Sequence, residues 1–295
     1  MNTPLITIVI ASFNAENYIR ETLESCINQT YKNIEIVVVD DCSVDSSVNI
    51  ISDWCDEKKK THSEVNCVFI ASSKNNGITI NFNNALPHVN GDWIKCLGSD
   101  DLLLPDAVQN FVSRLNQLDN AENIGAVFTF FETFGLQVEN PQRYPLAWTR
   151  NVIQLKPSLL KKQLAMVHFN NVAPGAFINM KHFSEFDTHF KLLEDLPLWL
   201  KFINNNIDML FFDYTSVLYR IHANQVTSSG TSAIGKILLS DLLKVNVRRK
   251  ESGYYLSYLH HQFNLFCASK GKKYRLLKLM DPINLLIYLY ERIKK

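Results

Sequence analysis

Two unbroken runs of aliphatic and mostly β-branched residues, Ile6–Ala11 (ITIVIA) and Ile34–Val39 (IEIVVV), each give way to polar residues and then to an apolar stripe with helical spacing. A continuous apolar strand has to be buried on both faces, which happens in sheets covered by helices on both sides. The stripes are Ile19, Leu23, Cys26 and Ile27 after the first run, and Val48, Ile51 and Trp54–Cys55 after the second. The alternation continues with a strand over Val65–Ala71, a short helix over Asn81–Leu86 and a strand over Trp93–Leu97. Pro105 then opens a helix through Ala107, Val108, Phe111 and Leu115. Strands alternating with helices predict an α/β fold with a Rossmann-like, mostly parallel sheet.

Beyond residue 120 the pattern is less regular. Strands are predicted over Gly125–Phe134, Pro174–Met180 and within Met209–Tyr219, and helices over Pro157–His168, Pro197–Ile203 and from Thr231 onward. Gln137–Arg150 reads as a loop. A chain of 295 residues, 46% hydrophobic, can bury a large core. Its net charge of +1 supplies no global field for nucleic acid, so none is expected as a partner. The six cysteines form no C-x-x-C pair, which suits reduced thiols in a cytoplasmic protein. The apolar run Leu5–Ala11 is too short for a signal peptide, and no stretch approaches ~20 uncharged apolar residues.

Polar clusters follow the strands at residues 12–16, 40–45 and 98–101. Ligands of open α/β sheets bind beyond the carboxyl ends of the strands, so the three clusters should line one crevice. Asp100-Asp101 is an adjacent carboxylate pair at a strand end. Such carboxylates repel each other unless a cation lies between them, and hard divalent ions prefer carboxylate oxygens shared with phosphates. The same pair can also simply cap the helix that Pro105 opens. Asp40-Asp41 can accept from a ribose hydroxyl or a base N–H, or cap a helix along with Ser43 and Asp45. Glu194-Asp195 precedes a helix marked by Pro197, where carboxylates are favoured electrostatically.

The segments ITIVIASFN, VVVDDCSVDSS, NNGITINFNNA and GDWIKCLGSDD, in this order, closely resemble the N-terminal half of family-two glycosyltransferases with the GT-A fold. Ala173–Asn179, Phe186-Asp187 and Leu193–Trp199 resemble that family's acceptor side, and Tyr219-Arg220-Ile221-His222 its Tyr-Arg-x-His segment. The resemblance implies a GT-A domain with a donor half (1–125), an acceptor half (126–228) and a helical C-terminal extension (229–295). It implies that Asp41 binds the base of a nucleoside-diphosphate sugar, a UDP-sugar first among them, in a pocket lined by Ser12, Phe13, Asn14 and Glu16. Asn75 and Gly77 would flank the donor. Asp100 would face ribose or diphosphate, Arg220 the diphosphate, and Asp101 would hold Mn²⁺ or Mg²⁺ with His222 as a further ligand. Asp195 would be the general base of an inverting transfer to an acceptor hydroxyl, with Glu194 beside it. Two positions depart from the family pattern. Gly98 stands where an Asp is frequent, and Asn81-Phe82 replaces Ala-Arg.

Residues 270–295 hold eight Lys/Arg and two Asp/Glu. Apolar residues at helical spacing (Ile283, Leu286, Ile287, Tyr290) make this end amphipathic. It is expected either to lie in an anionic membrane surface at the inner face of the cell membrane or to pack on the protein body. A saccharide or lipid-linked saccharide in surface polysaccharide biosynthesis would be the acceptor. Two rival readings use the same parts: a nucleotidyltransferase, and a decayed protein that only binds sugar nucleotides. The first favours a Gly-rich, cation-bearing first loop, which residues 12–16 do not provide.

Overall fold

A computed structural model describes residues 3–62, 65–119, 121–136, 138–155, 162, 171–222, 232–269, 278 and 280–293. Its centre is a nine-stranded, mixed sheet of order β3-β2-β1-β4-β8-β6-β9-β5, with β7 added beside β6. The strands β1 (Ile6–Ser12), β2 (Ile34–Asp40), β3 (Asn66–Ala71) and β4 (Trp93–Gly98) are mutually parallel. Their registers align Ser12 with Asp40, Asp40 with Ala71 and Ala11 with Gly98, so the polar clusters do emerge along one edge. Every residue of β2 is buried, as its unbroken apolar run requires.

Two cores lie on the opposite faces of the sheet. One holds Ile6, Ile8 and Ile10 against Leu23 of α1 (Ile19–Ile27), Trp54 of α2 (Ser47–Thr61) and Phe111 of α4 (Ala107–Leu115). The other packs Val9, Val37 and Ile94 with Phe82 of α3 (Ile78–Ala85) and Trp199 of α6 (Asp195–Asn204). Each fully buried aliphatic side chain contributes roughly 1.5–3 kcal/mol. The second half of the sheet is built from β6 (Ile124–Phe134), β8 (Ala176–Asn179) and β9 (Asp208–Arg220). β8 runs antiparallel to β4 and β6, and β9 runs parallel to β6, placing Arg220 opposite Phe134 at the site edge.

Several expectations need adjustment. Gln137–Arg150 is not simply a loop: it contains the short strand β7 (Arg143–Tyr144) and the start of α5 (Ala147–Ile153). The packing partner of α5 is more than a hundred residues away, where Glu291 accepts the Trp148 amide, so local pattern could not announce it. The two-residue strand β5 (Leu102–Leu103) exists only through its pairing with Leu218 and Val217 of β9. The short helix starts at Ile78 rather than Asn81, because Gly77 with φ of 89° sets the entry. The expected helix over Pro157–His168 lies, apart from Lys162, outside the described residues. The C-terminal region forms α7 (Ser232–Glu251), α8 (Tyr255–Ser269) and α9 (Pro282–Ile293). Among the described residues no helix is long and apolar enough to cross a membrane. All six cysteines are free thiols.

Candidate active site

The loops after β1 and β2 are laced together by side chains. Asn14 Oδ1 accepts the Val44 amide, and Ser43 Oγ accepts the Asn14 amide. Glu16 Oε2 accepts the Ser46 amide, while Asp45 accepts those of Glu16 and Ser47. Asn14 and Glu16 thus act first as struts that shape the crevice. Asn14 and Cys42 take left-handed backbone conformations, with φ of 49° and 65°. The former suits Asn; the latter is costly for a residue with a Cβ. Phe13 stands 48% exposed at the end of β1, an aromatic face open to a planar ligand. Ser12 beside it is buried, and its Oγ has no hydrogen-bond partner among the described residues.

Asp40 and Asp41 divide their work. Asp40 accepts from the amide and the hydroxyl of Ser43, closing the turn. Asp41 accepts from the Asn76 and Gly77 amides, each at 2.8 Å, and so fixes the loop that opens α3. Each oxygen keeps a second lone pair for a ligand. Asn75 is exposed on that same loop. Asn81 is buried, its amide bridging Ser12 O and Val39 O, and Phe82 lies in the core. The two residues that replace Ala-Arg are therefore structural.

At the end of β4 the second acidic pair is held by β9. Asp101 Oδ1 accepts the Arg220 amide at 2.9 Å. Asp100 Oδ2 lies 2.9 Å from His222 Nε2, and the Arg220 Nε donates to the Asp100 carbonyl. The Arg220 guanidinium is pinned further by Glu21 at 2.6 Å and lies over the rings of Tyr18 and Phe134. The His222 ring packs on Tyr18 with centroids 4.7 Å apart. Burial, and after it the charge of Asp100, lifts the Asp101 carboxyl well above the usual range.

The remaining carboxylate oxygens converge. A Cβ placed on Gly98 would stand 2.8 Å from Asp100 Oδ1 and 3.4 Å from Asp101 Oδ2. The missing side chain at position 98 thus leaves a space between two hard oxygen donors, which fits Mg²⁺ or Mn²⁺. Among the described residues no three His, Cys, Asp or Glu side chains surround a single point. Asp100 and Asp101 alone leave most coordination positions of such an ion to other donors.

Glu194 and Asp195 mark the start of α6, whose Leu196, Leu198 and Trp199 anchor it in the second core. Burial raises both carboxyls, Glu194 to about 8 with the help of the Asp195 charge, and Asp195 to about 6. Asp195 therefore carries the charge of the pair near neutral pH, although burial, rather than the helix terminus, sets its value. Burial also lifts the Cys96 thiol, and the charge of Glu194 adds to the rise. Ile94 and Cys96 of β4 pack in the same core as Leu196 and Trp199 of α6.

Sequence reasoning missed four side chains here. Tyr18 and Glu21 position His222 and Arg220. Lys95 is fully buried in the middle of β4, donates to the carbonyls of Pro174 and Ala176, and is pulled by burial down to about 8. A charged residue inside the apolar run WIKCL was the available signal. Asp241 of α7 accepts the amides of Lys191 and Leu192, clasping the loop before Glu194 from the C-terminal extension.

A curled α/β sheet with acidic pairs at its carboxyl edge is the architecture of GT-A glycosyltransferases. Residues 7–185 match the sequence model of glycosyl transferase family 2, and the chain belongs to that family. It is 28% identical over 239 residues to an uncharacterized glycosyltransferase of Rickettsia typhi, covering 79% of this chain and 69% of the relative. Its fold is shared with S. aureus TarS 1–349 in complex with UDP, at TM-score 0.60 and 17% identity, covering 88% of this chain and 72% of the other. It is shared also with a mannosyltransferase from Pyrobaculum calidifontis in complex with GDP-Man and Mn²⁺, at TM-score 0.65 and 16% identity, covering 100% of this chain and 89% of the other.

Proposed function

We propose that the protein transfers a sugar from a nucleoside-diphosphate donor to an acceptor hydroxyl in one displacement that inverts the anomeric centre. The observation that carries this reading is the buried Asp195, the ionised member of its pair, at the start of a helix whose Leu196 and Trp199 share a core with Ile94 and Cys96 of β4, the strand that leads into Asp100-Asp101. Phe13 and Asp41 receive the base, a uracil in the preferred form, with Ser12 Oγ and Asn75 nearby. Gly77 gives the donor room at the α3 loop. Asp101 and Asp100 would hold Mn²⁺ or Mg²⁺, with His222 orienting Asp100 or joining the ligand set. The metal supplies charge neutralisation for the departing diphosphate. Arg220 keeps the two acids in place and adds positive charge beside the diphosphate. Asp195 takes the acceptor proton as its oxygen bonds to the anomeric carbon, and the neutral Glu194 spares the site a second negative charge.

The acceptor in this reading is a saccharide or lipid-linked saccharide of a surface polysaccharide, and the enzyme works in the cytoplasm at the inner face of the membrane. Support comes from α9. One side of it packs on the body through Ile283, Tyr290 and Glu291, while Leu285, Leu286, Leu289 and Ile293 are exposed. The expected alternatives, a packed helix and a membrane-facing helix, are thus compatible in one element.

Thermal unfolding tests the core of the proposal. UDP or GDP with Mn²⁺ should raise the midpoint of the wild type, by the equivalent of about 2.7 kcal/mol at a hundredfold excess over Kd. Asp101→Ala should abolish that metal-dependent gain. Equal nucleotide stabilisation in EDTA would reject the metal site.

A further inference from the structure

Residues 187–193 lead into Glu194-Asp195 without helix or strand. Backbone amides in such a stretch have to find partners outside a regular ladder. Here side chains supply most of them. Asn83 Oδ1 of α3 accepts the Phe186 amide at the entry, and Asp187 Oδ1 accepts that of His189. Asp241 Oδ2 of α7 accepts two more, from Lys191 at 2.7 Å and Leu192 at 2.8 Å. Phe190 and Leu193 sink between these contacts into the second core.

Asp241 breaks the pattern of its own helix. It is fully buried, on the face of α7 whose Leu238, Leu242 and Val245 pack on the second core. A carboxylate there is costly unless its oxygens are answered. The two loop amides answer Oδ2, and Lys244 answers Oδ1 at 3.1 Å. Lys244 also donates to the His189 carbonyl. Arg248 donates to Asp187 Oδ2 at 2.7 Å, with its guanidinium 4.7 Å from the centre of the Phe190 ring. Spacings of three and four bring Asp241, Lys244 and Arg248 to one side of the helix, so one strip of α7 grips the whole loop. The same loop touches the donor half. A Cβ on Gly77 would stand 3.5 Å from the Lys191 carbonyl oxygen, and the Gly77 amide is held by Asp41.

We propose that Asp241 is a positioning residue for the transfer: through the Lys191 and Leu192 amides it sets the loop that carries Asp195 against the donor loop at Gly77. The inference rests on the reading of Asp195 as the base. Lys191 and Leu192 each stand three residues before a member of the acidic pair, so a shift of their amides is passed on to it within one turn of chain. Misplacement of a reacting group by about 1 Å can cost on the order of 10²-fold in rate.

The test is hydrolysis of the nucleotide sugar that stabilises the wild type most, with Mn²⁺ present and water standing for the acceptor. Asp241→Leu fills the space with apolar atoms and offers no acceptor. It should lower kcat by roughly 10–10²-fold while KM for the nucleotide sugar and the Kd of UDP stay as in the wild type. Asp241→Asn can still turn a carbonyl oxygen to both amides, and should recover most of the loss. Wild-type kcat in Asp241→Leu would overturn the proposal. So would an Asp241→Asn enzyme as slow as Asp241→Leu, or a loss confined to KM and UDP binding. Should Asp241→Leu fail to fold, Lys244→Gln is measured in its place, with a smaller drop in kcat expected at unchanged KM and unchanged kcat counting against the proposal. Asp195→Asn is measured alongside. Turnover that survives Asp195→Asn would remove the base and this inference with it, whereas its loss beside a normal Asp241→Leu enzyme would overturn the positioning role alone.

Discussion

At the end of β2, Asp40 and Asp41 receive four hydrogen bonds, three from backbone amides and one from the Ser43 hydroxyl. At the start of α6, Glu194 and Asp195 sit in an apolar layer where burial outweighs the donors they meet, and both carboxyls are raised. The residue types are nearly the same and the surroundings differ. A carboxylate surrounded by N–H groups becomes a fixed acceptor, useful as a scaffold and for reading a ligand's donors. A desolvated carboxyl with a raised pKa is poised to exchange protons near neutral pH. Position at an element end does not separate these roles; at Glu194 and Asp195 burial outweighs the hydrogen bonds they receive.

The sharpest way to break this contrast is to neutralise one acid of each pair. Asp195→Asn keeps the shape and removes basicity, and should lower kcat by roughly 10²–10⁴-fold with little change in nucleotide affinity. In the wild type, kcat should fall on the acid side with an apparent pKa near 6, belonging to the pair as a unit. Asp41→Asn should act on binding and stability instead. Its amide group would oppose one of the two backbone amides, costing about 1–3 kcal/mol in unfolding free energy and weakening UDP by a similar amount. Unfolding loss with an unchanged UDP Kd would make Asp41 a strut only.

The smallest effect sharpens the comparison further. The Glu194 carboxyl moves from an ordinary 4.5 to about 8, so the folded protein keeps a proton that the unfolded chain has released between those values. The Glu194 contribution to stability is then fully present below about pH 4.5 and is lost as pH rises through about 8. Glu194→Gln should remove that slope, gaining on the wild type in unfolding midpoint as pH rises across this window. Parallel profiles for the two proteins would show that Glu194 is not held protonated.

The N-terminal half of the sheet was legible in the sequence because its elements are local. Each buried run, polar turn and helix lies within about twenty residues, and the periods of strand and helix are read directly from residues such as Ile6–Ala11 and Leu23. The acidic residues facing the crevice were likewise readable from their place after β2 and β4. What escaped depends on distant partners. β5 needs β9, and α5 needs Glu291. Tyr18 and Glu21 gain meaning only when β9 brings Arg220 and His222 to them. The raised carboxyls of Glu194 and Asp195 reflect burial, which no helix-end rule conveys; the helix terminus alone suggested a fully ionised Asp195.

The central claim is that Asp195 serves a single displacement with no sugar–enzyme intermediate. ¹H NMR of the transfer product, made from the nucleotide sugar that stabilises the wild type most, reads the new anomeric configuration, which the glycosidic bond locks. The account predicts a product of configuration opposite to the donor's. A product that retains the donor configuration would contradict it, because retention requires either a second displacement or attack from the face that Asp195 does not serve.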